Sequence, residues 1–460
     1  MRLMSGLFDF PRLTHAVSRA DAWLTGRPNL KKIAGNAFWL LVEKILRLGL
    51  GLGLGIWLAR YLGPEQFGML NYAIAFVAIF GTLSGLGLYK IVVREIAAAP
   101  AREREILGTA FVLKAAAGLV SLMLAIFLSA QLHPNEPLAT YLVAILSIAS
   151  FFQSFEVIEF WFEANIRSKY SVYAKQIAFL LVTLVKVALI LAEAPLIAFV
   201  WAALAESVLA SFALLGIYCR KSDLTPLRWK PSIQKAKDLL SDSWPLIFAG
   251  MAVILYMKID IIMLGEMKGS EVTGIYSSAA FISEIWYFIP TILGSSLFPL
   301  ILRARQTNVA LYHDRLQNLY RVLFWLAVVI AICVSVTARP LIITLYGSAY
   351  EEASQVLHIH IWAGIAVFLG VGSSQYLLAE NLQRISLYRT AIGLVVNIAL
   401  NILMIPRYGA NGAAFATLIS YFVATFSIVL FKPARGQGRM LLRAMNPSGI
   451  LSAMRYMKHK

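Results

Sequence analysis

Residues 33–89, IAGNAFWLLVEKILRLGLGLGLGIWLARYLGPEQFGMLNYAIAFVAIFGTLSGLGLY, decide the fold. They hold two long apolar runs, 33–58 and 70–89, joined by a short turn that contains Gly63 and Pro64. A run of about 20 apolar residues is long enough to cross a bilayer as a helix. In hydrocarbon the backbone has no water to bond, so such runs satisfy their own amides as helices. The pattern continues at 107–129, 139–162, 176–192, 196–218, 243–264, 273–302, 322–338, 353–379, 390–406 and 411–431. The expectation is an all-α membrane protein of about twelve transmembrane helices. Composition agrees, with 59% hydrophobic and 14% charged residues in a 460-residue chain, against about 25% charged in a soluble domain. Cys219 and Cys333 lie far apart and predict neither a disulfide framework nor a metal knuckle. The first thirty residues lack the apolar core and cleavage site of a removable signal peptide.

The net charge of +17 is distributed as membrane topology, with no basic face of the kind that binds nucleic acid. With the N-terminus inside, the cytoplasmic segments 1–32, 90–106, 163–175, 219–242, 303–321, 380–389 and 432–460 collect 32 Lys and Arg. The periplasmic segments collect four: Arg60, Lys268, Arg339 and Arg407. This asymmetry predicts both termini inside a bacterial cytoplasmic membrane. The boundaries that follow are an N-terminal extension 1–32, a six-helix bundle 33–218, a linker 219–242, a second six-helix bundle 243–431 and a basic tail 432–460. The tail is expected in part on the anionic inner leaflet.

The halves echo each other. Gly68, Leu70 and Ala73 open the second span, and Gly274, Tyr276 and Ala279 open the eighth, each set after a Leu-Gly turn. Six spans per half, both starting inside, make the expected repeats parallel. The stretch from Asn36 to Ala97 also resembles the opening of bacterial polysaccharide-biosynthesis flippases, which export O-antigen and exopolysaccharide repeat units. They belong to the multidrug/oligosaccharidyl-lipid/polysaccharide exporter superfamily. Ala59-Arg60-Tyr61-Leu62-Gly63-Pro64, Phe67-Gly68, Gly85-Leu86-Gly87 and Arg94-Glu95 carry the resemblance. Leu345-Tyr346-Gly347, Pro406-Arg407-Tyr408-Gly409 and Gly412-Ala413 extend it along the chain. It implies two parallel six-helix bundles around a central cavity, alternating access and a polyprenyl-diphosphate-linked oligosaccharide as substrate. Membrane lipids and the polysaccharide polymerase and chain-length machinery are the other implied partners. Residues 1–32 extend beyond the family pattern.

A pyrophosphate head group needs cations in a polar path. Five lie within the spans: Lys44 and Arg47 in the first, Lys114 in the third, Lys186 in the fifth and Lys258 in the seventh. A charge facing lipid at mid-membrane costs about 2.5–3.5 kcal/mol, so five would cost roughly 15 kcal/mol; an aqueous interior or partner acids are expected. Arg47 suits phosphate best, through its bidentate fork. Lys114 sits near a helix end, where its stem can snorkel. Four acids accompany them. Glu43 is spaced to pair with Arg47 along one helix, while Glu206, Asp260 and Glu284 either pair with lysines or titrate as proton or cation sites. The last four spans carry no Lys, Arg, Asp or Glu in their cores, so spans one to eight are expected to line the path.

Other signals have plainer readings. The Gly49–Gly55 run packs helices, Pro290 kinks one, and His358 and His360 point to different faces. Trp39, Tyr61, Trp244 and Tyr346 read as interface anchors. No nucleophile–base set or nucleotide loop is present, so neither an enzyme nor a cofactor is expected. Two alternatives stand beside the flippase. A cation-coupled multidrug exporter of the same superfamily is disfavoured by cation-rich spans. A membrane polysaccharide polymerase or ligase is disfavoured by short periplasmic loops.

Overall fold

The computed structural model describes residues 28–222 and 228–446, apart from the side chains of residues 28–43 and Ile45. Glu43, the residues before 28 and the tail beyond 446 therefore lie outside the described set. Among the described residues, ten helical runs are long and apolar enough to cross a membrane. Two of them bend at a non-helical glycine, Gly63 in Pro28–Gly85 and Gly409 in Gln383–Phe426. Ten runs with two divided give twelve crossings.

In chain order these are α1 (28–62), α2 (64–85), α3 (Pro100–Leu132), α4 (Pro137–Ala164), α5 (Lys169–Leu191) and α6 (Leu196–Lys221) in the first half. The second half holds α7 (Ile233–Lys268), α8 (Ser270–Thr307), α9 (Val309–Tyr346), α10 (Ala353–Ala379), α11 (383–408) and α12 (410–426). A tight turn at Ile285–Tyr287 interrupts α8. Pro290 follows it and cannot donate to the carbonyl four residues back, which explains the break there. Large apolar side chains such as Met123, Phe127, Leu184, Val336 and Val395 point outward, the surface lipid requires and water would not tolerate over such an area.

The turns that precede Gly68 and Gly274 adopt one conformation in both halves: Gly63, after Leu62, at φ 72, ψ 172 and Gly269, after Lys268, at φ 86, ψ 178; the second Leu-Gly pair, Leu264-Gly265, lies inside α7 and makes no turn. Only glycine visits this region without strain. The turns lead into α2 and α8, which lie against each other. A Cβ on Gly68 would overlap the Ser270 carbonyl, and a Cβ on Gly274 would overlap the Pro64 carbonyl. Gly68 and Gly274 are the two equivalent glycines of the sequence echo, so the halves meet through equivalent backbone surfaces, as in parallel repeats. Gly68→Val is therefore expected to prise α2 from α8. A cysteine placed at Ala73, which is 1% exposed, should be inert to a water-soluble thiol reagent and become reactive when Gly68→Val is added.

One apolar core joins the halves at the end away from the basic loops. It combines Leu62, Phe67, Phe76 and Leu142 with Ile275, Ile342, Tyr350 and Ile405. There the Tyr350 hydroxyl donates to the Ala59 carbonyl at 2.7 Å. Tyr346 belongs to this core, 2% exposed and 5.4 Å from the Tyr350 ring. It is thus an internal seal and not an interface anchor, because Gly347 turns the chain back over it. At the basic end each half has its own core. Leu88, Ile106, Val157, Trp161 and Tyr218 build one; Ile301, Leu316, Tyr320, Phe368 and Leu441 build the other. The halves thus share a core at one end and have separate cores at the other.

The start of α7 leans on the first half. Ser232 caps it by accepting from the Lys235 amide, Leu239 is buried in the first-half core, Lys235 pairs with Glu95, and Arg94 meets Asp242 at 3.0 Å. Much of 219–242 is therefore fastened in place.

Candidate functional site

The cations of the spans divide into tightly and loosely held groups. Lys114 is 1% exposed, bonded to Glu156 at 3.0 Å and 5.4 Å from the Phe160 ring centre. It does not snorkel: it lies on the face of α3 that packs on α4, and burial without a partner would be prohibitive. Lys175 is held by Glu159 in the same way, at 3.0 Å.

Arg47 of α1 and Lys186 of α5 instead converge on one acid of α6. Arg47 lies 3.3 Å from Glu206 and Lys186 lies 3.6 Å from its other oxygen. Both separations exceed the 2.7–2.9 Å typical of charge-assisted hydrogen bonds. The three side chains keep 43%, 19% and 20% of their surface exposed, respectively for Arg47, Lys186 and Glu206. Phe179 lies under the Arg47 guanidinium at 4.8 Å. Beside them is a cavity of about 170 Å³ lined in part by Gln153, Lys175, Ser207 and Ser211. Among the described residues, two cations thus share one carboxylate. The trio itself carries one surplus positive charge and stays partly exposed, and Glu156 and Glu159 line the same cavity. Lys44 is exposed one turn away on α1.

The second half is built differently. Lys258 of α7 and Glu284 of α8 stand 3.8 Å apart. Two residues on, and so on another face of α7, Asp260 is 3% exposed. It accepts from the Tyr276 hydroxyl at 2.9 Å and from Asn401 and Thr417. Asn401 also donates to Asn397 at 3.1 Å, and Asn397 to Ser420 at 3.3 Å. No cation pairs with Asp260 among the described residues, and the Asn401 Oδ1 is buried with no partner. A buried carboxylate among oxygen donors, with one amide oxygen left over, is suited to a proton or a small cation. No group of three or more His, Cys, Asp or Glu that could hold a metal is found among the described residues. His360 is buried against Tyr276, with ring centres 5.8 Å apart, while His358 is exposed.

The expectation that only α1–α8 line the polar interior needs correction. Asn397, Asn401, Thr417 and Ser420 come from α11 and α12, and all are buried. Counting only charged residues missed them; the legible signal was two asparagines four apart in an apolar helix. Arg389 was missed for another reason. The charge pattern assigned it to a loop, but α11 begins at Gln383, which places Arg389 inside the helix and 6% exposed.

At the far end the halves are also latched by polar groups. The Tyr72 hydroxyl donates to Glu266, and His133 Nε2 lies 3.4 Å from the same carboxylate. Tyr72 and His133 belong to the first half and Glu266 to the second, so this contact must break if the far end opens.

Residues 33–305 match the family described as "Polysaccharide biosynthesis protein", and residues 245–403 match the MatE family. The probable flippase AglR of Haloferax volcanii is 30% identical over 189 residues, which are 39% of this chain and 38% of that protein. The capsular polysaccharide biosynthesis protein CapF of Staphylococcus aureus is 23% identical over 49% of this chain and 57% of its own length. The matched stretch thus spans between about two-fifths and three-fifths of these relatives. Among solved structures, an inward-facing multidrug resistance MATE family transporter superposes with a TM-score of 0.70 at 16% identity, covering 89% of this chain and all of that one. The lipid II flippase MurJ, inward closed, gives 0.67 at 15% identity over 88% of this chain and 90% of its own. The fold is therefore that of these two-bundle transporters, and the span of the family match, more than half of the chain, makes this protein a member of the polysaccharide biosynthesis protein family.

Proposed function

We propose that the chain flips a polyprenyl-diphosphate-linked oligosaccharide from the cytoplasmic to the outer leaflet of a bacterial cytoplasmic membrane, as a step in O-antigen or exopolysaccharide assembly. The basic end is the cytoplasmic one, with both termini there. The observation that carries the reading is the trio Arg47–Glu206–Lys186, in which two cations share one carboxylate at loose distances. Glu206 occupies the cations while a cleft between the halves is empty, and the pyrophosphate replaces it when substrate enters. The lipid tail stays in the bilayer while the sugar sits in the cleft between the halves. The far-end latch then opens, the basic end closes, and Glu206 competes the anion off. The Asp260 cluster, on the other half, takes up a proton or small cation and couples it to this rocking. A polymerase and chain-length machinery would consume the product.

A pyrophosphate diester carries about two negative charges, so outward movement gains roughly 4–5 kcal/mol per 100 mV, at about 2.3 kcal/mol per charge, if the protein does not compensate it. Release and not uptake is then the step that needs help, which is the role given to Glu206. Glu206→Gln should bind substrate more tightly and turn over more slowly, with both the half-saturating concentration and the maximal rate falling. A fall in rate with weaker binding would make Glu206 a plain structural acid. The functional reading itself is tested by deleting the gene. Lipid-linked oligosaccharide should accumulate on the cytoplasmic leaflet and surface polysaccharide should vanish, and both should be restored by the intact chain. Unchanged surface polysaccharide in the deletion strain would refute it.

A further inference from the structure

The second half contains a cavity that the proposed flipping path does not use. It has a volume of about 280 Å³ and lies among α7, α8, α10, α11 and α12. Its deeper walls are apolar and aromatic, with Tyr256, Met257, Tyr287 and Val367 among them. Its polar end is formed by Arg389, with Ser374 and Ser386 beside it.

Arg389 is an arginine buried without an acid. It is 6% exposed. Its Nη1 donates to Ser373 Oγ at 2.6 Å, and its Nη2 to the Gly370 carbonyl at 2.8 Å and Ser374 Oγ at 2.6 Å. All three acceptors are neutral, and among the described residues no carboxylate pairs with it. Every other cation buried to this degree here has an acid: Lys114 has Glu156 and Lys235 has Glu95. A buried charge with only neutral partners is costly, and a bound anion would offset that cost. The cavity wall also carries the hydroxyl-bearing side chains of Tyr256 and Tyr287.

Position indicates what kind of anion. Arg389 lies six residues into α11 from its basic-end start at Gln383, about 9 Å at 1.5 Å per residue. Ser374 is five residues from the basic end of α10 at Ala379, and Tyr421 five from the end of α12 at Phe426. The cation is therefore near head-group depth, and the apolar part of the cavity runs from it toward the membrane middle. That polarity matches a lipid of the same leaflet, with phosphate at Arg389 and the first chain carbons against Tyr256, Met257 and Val367.

We propose that this cavity is a second lipid site, which binds a phosphate-headed lipid through Arg389. It is separate from the Arg47–Lys186 cations of the first half. The phosphate comes from a polyprenyl phosphate or from a glycerophospholipid; the chemistry at Arg389 is the same.

The test uses the full chain purified in detergent and stripped of lipid. Binding of farnesyl phosphate, phosphatidylglycerol, farnesol and inorganic phosphate is measured by native mass spectrometry and by shift of the thermal melting point. At least one phosphate-headed lipid should bind and raise the melting point, and farnesol and inorganic phosphate should bind at least tenfold more weakly. Arg389→Gln should lower lipid affinity at least tenfold, Arg389→Lys less, and Val367→Phe should weaken the lipid by filling the chain end. Whichever lipid shows the Arg389 dependence identifies the source. Arg47→Gln should leave this binding unchanged, which separates the site from the flipping cations. No lipid binding by the intact chain would overturn the proposal, as would equal binding by Arg389→Gln or loss of the same binding in Arg47→Gln.

Discussion

Arg47→Gln should abolish export of surface polysaccharide while protein level, membrane insertion and thermal stability stay close to those of the parent. The expectation follows from geometry. Arg47 is the more exposed of the two cations on Glu206, at 43% against 19% for Lys186. Removing it leaves Glu206 still paired with Lys186, so no buried acid is orphaned. What is lost is the bidentate grip on the pyrophosphate that the proposed function assigns to Arg47. Hydrogen bonds to charged groups are worth about 1.5–3 kcal/mol each, so transport should fall at least about tenfold. Arg47→Lys should keep part of the activity, since the charge survives and the planar fork does not. The competing reading makes Arg47 only the counter-charge of Glu43. Under it, Glu43→Gln together with Arg47→Gln would restore export; the present account expects the double variant to stay inactive. Surface polysaccharide measured in a strain lacking the native gene decides between them.

Asp260→Asn should be nearly as damaging, for a different reason. The carboxylate accepts from Tyr276, Asn401 and Thr417 at once. An amide in its place must turn an NH₂ toward at least one of these donors, which costs about 1–3 kcal/mol. More importantly, the site loses the charge proposed to hold a proton or small cation. Transport should fall to background. The intact protein should melt at a higher temperature with sodium or lithium present, or else at a pH low enough to protonate Asp260, and the variant should show neither dependence. Full transport by Asp260→Asn would remove Asp260 from coupling and leave it as a structural acid that ties α7 to α11 and α12.

The fold was legible in the sequence because hydrocarbon enforces it. Apolar runs of sufficient length must be helices, and the placement of lysines and arginines fixes how many there are. The glycine echo was legible too, since Gly68 and Gly274 stand where the halves touch backbone to backbone. The site was legible only as an inventory of charged residues. Spacing along one helix pointed Arg47 toward Glu43, whereas Glu206, the partner found among the described residues, is distant in sequence and reaches it from α6. Lys114 looked free to snorkel because nothing in its own helix shows that Glu156 of α4 faces it. Arg389 was hidden by the charge rule itself, which assigns arginines near helix ends to loops. Long-range packing supplies each of these partners, and a single helix carries no record of it.

The proposed step moves a lipid-linked oligosaccharide between the leaflets, with Arg47 and Lys186 handling its pyrophosphate. The most direct measurement reconstitutes the purified chain into sealed vesicles holding a fluorescent polyprenyl-diphosphate-linked oligosaccharide in both leaflets. A membrane-impermeant quencher then reads the fraction that reaches the outer surface. Nearly all the fluorescence should be quenched with the intact chain, and only the outer half with Arg47→Gln or in empty vesicles. Quenching that stops at the outer half with the intact chain would contradict the proposed step.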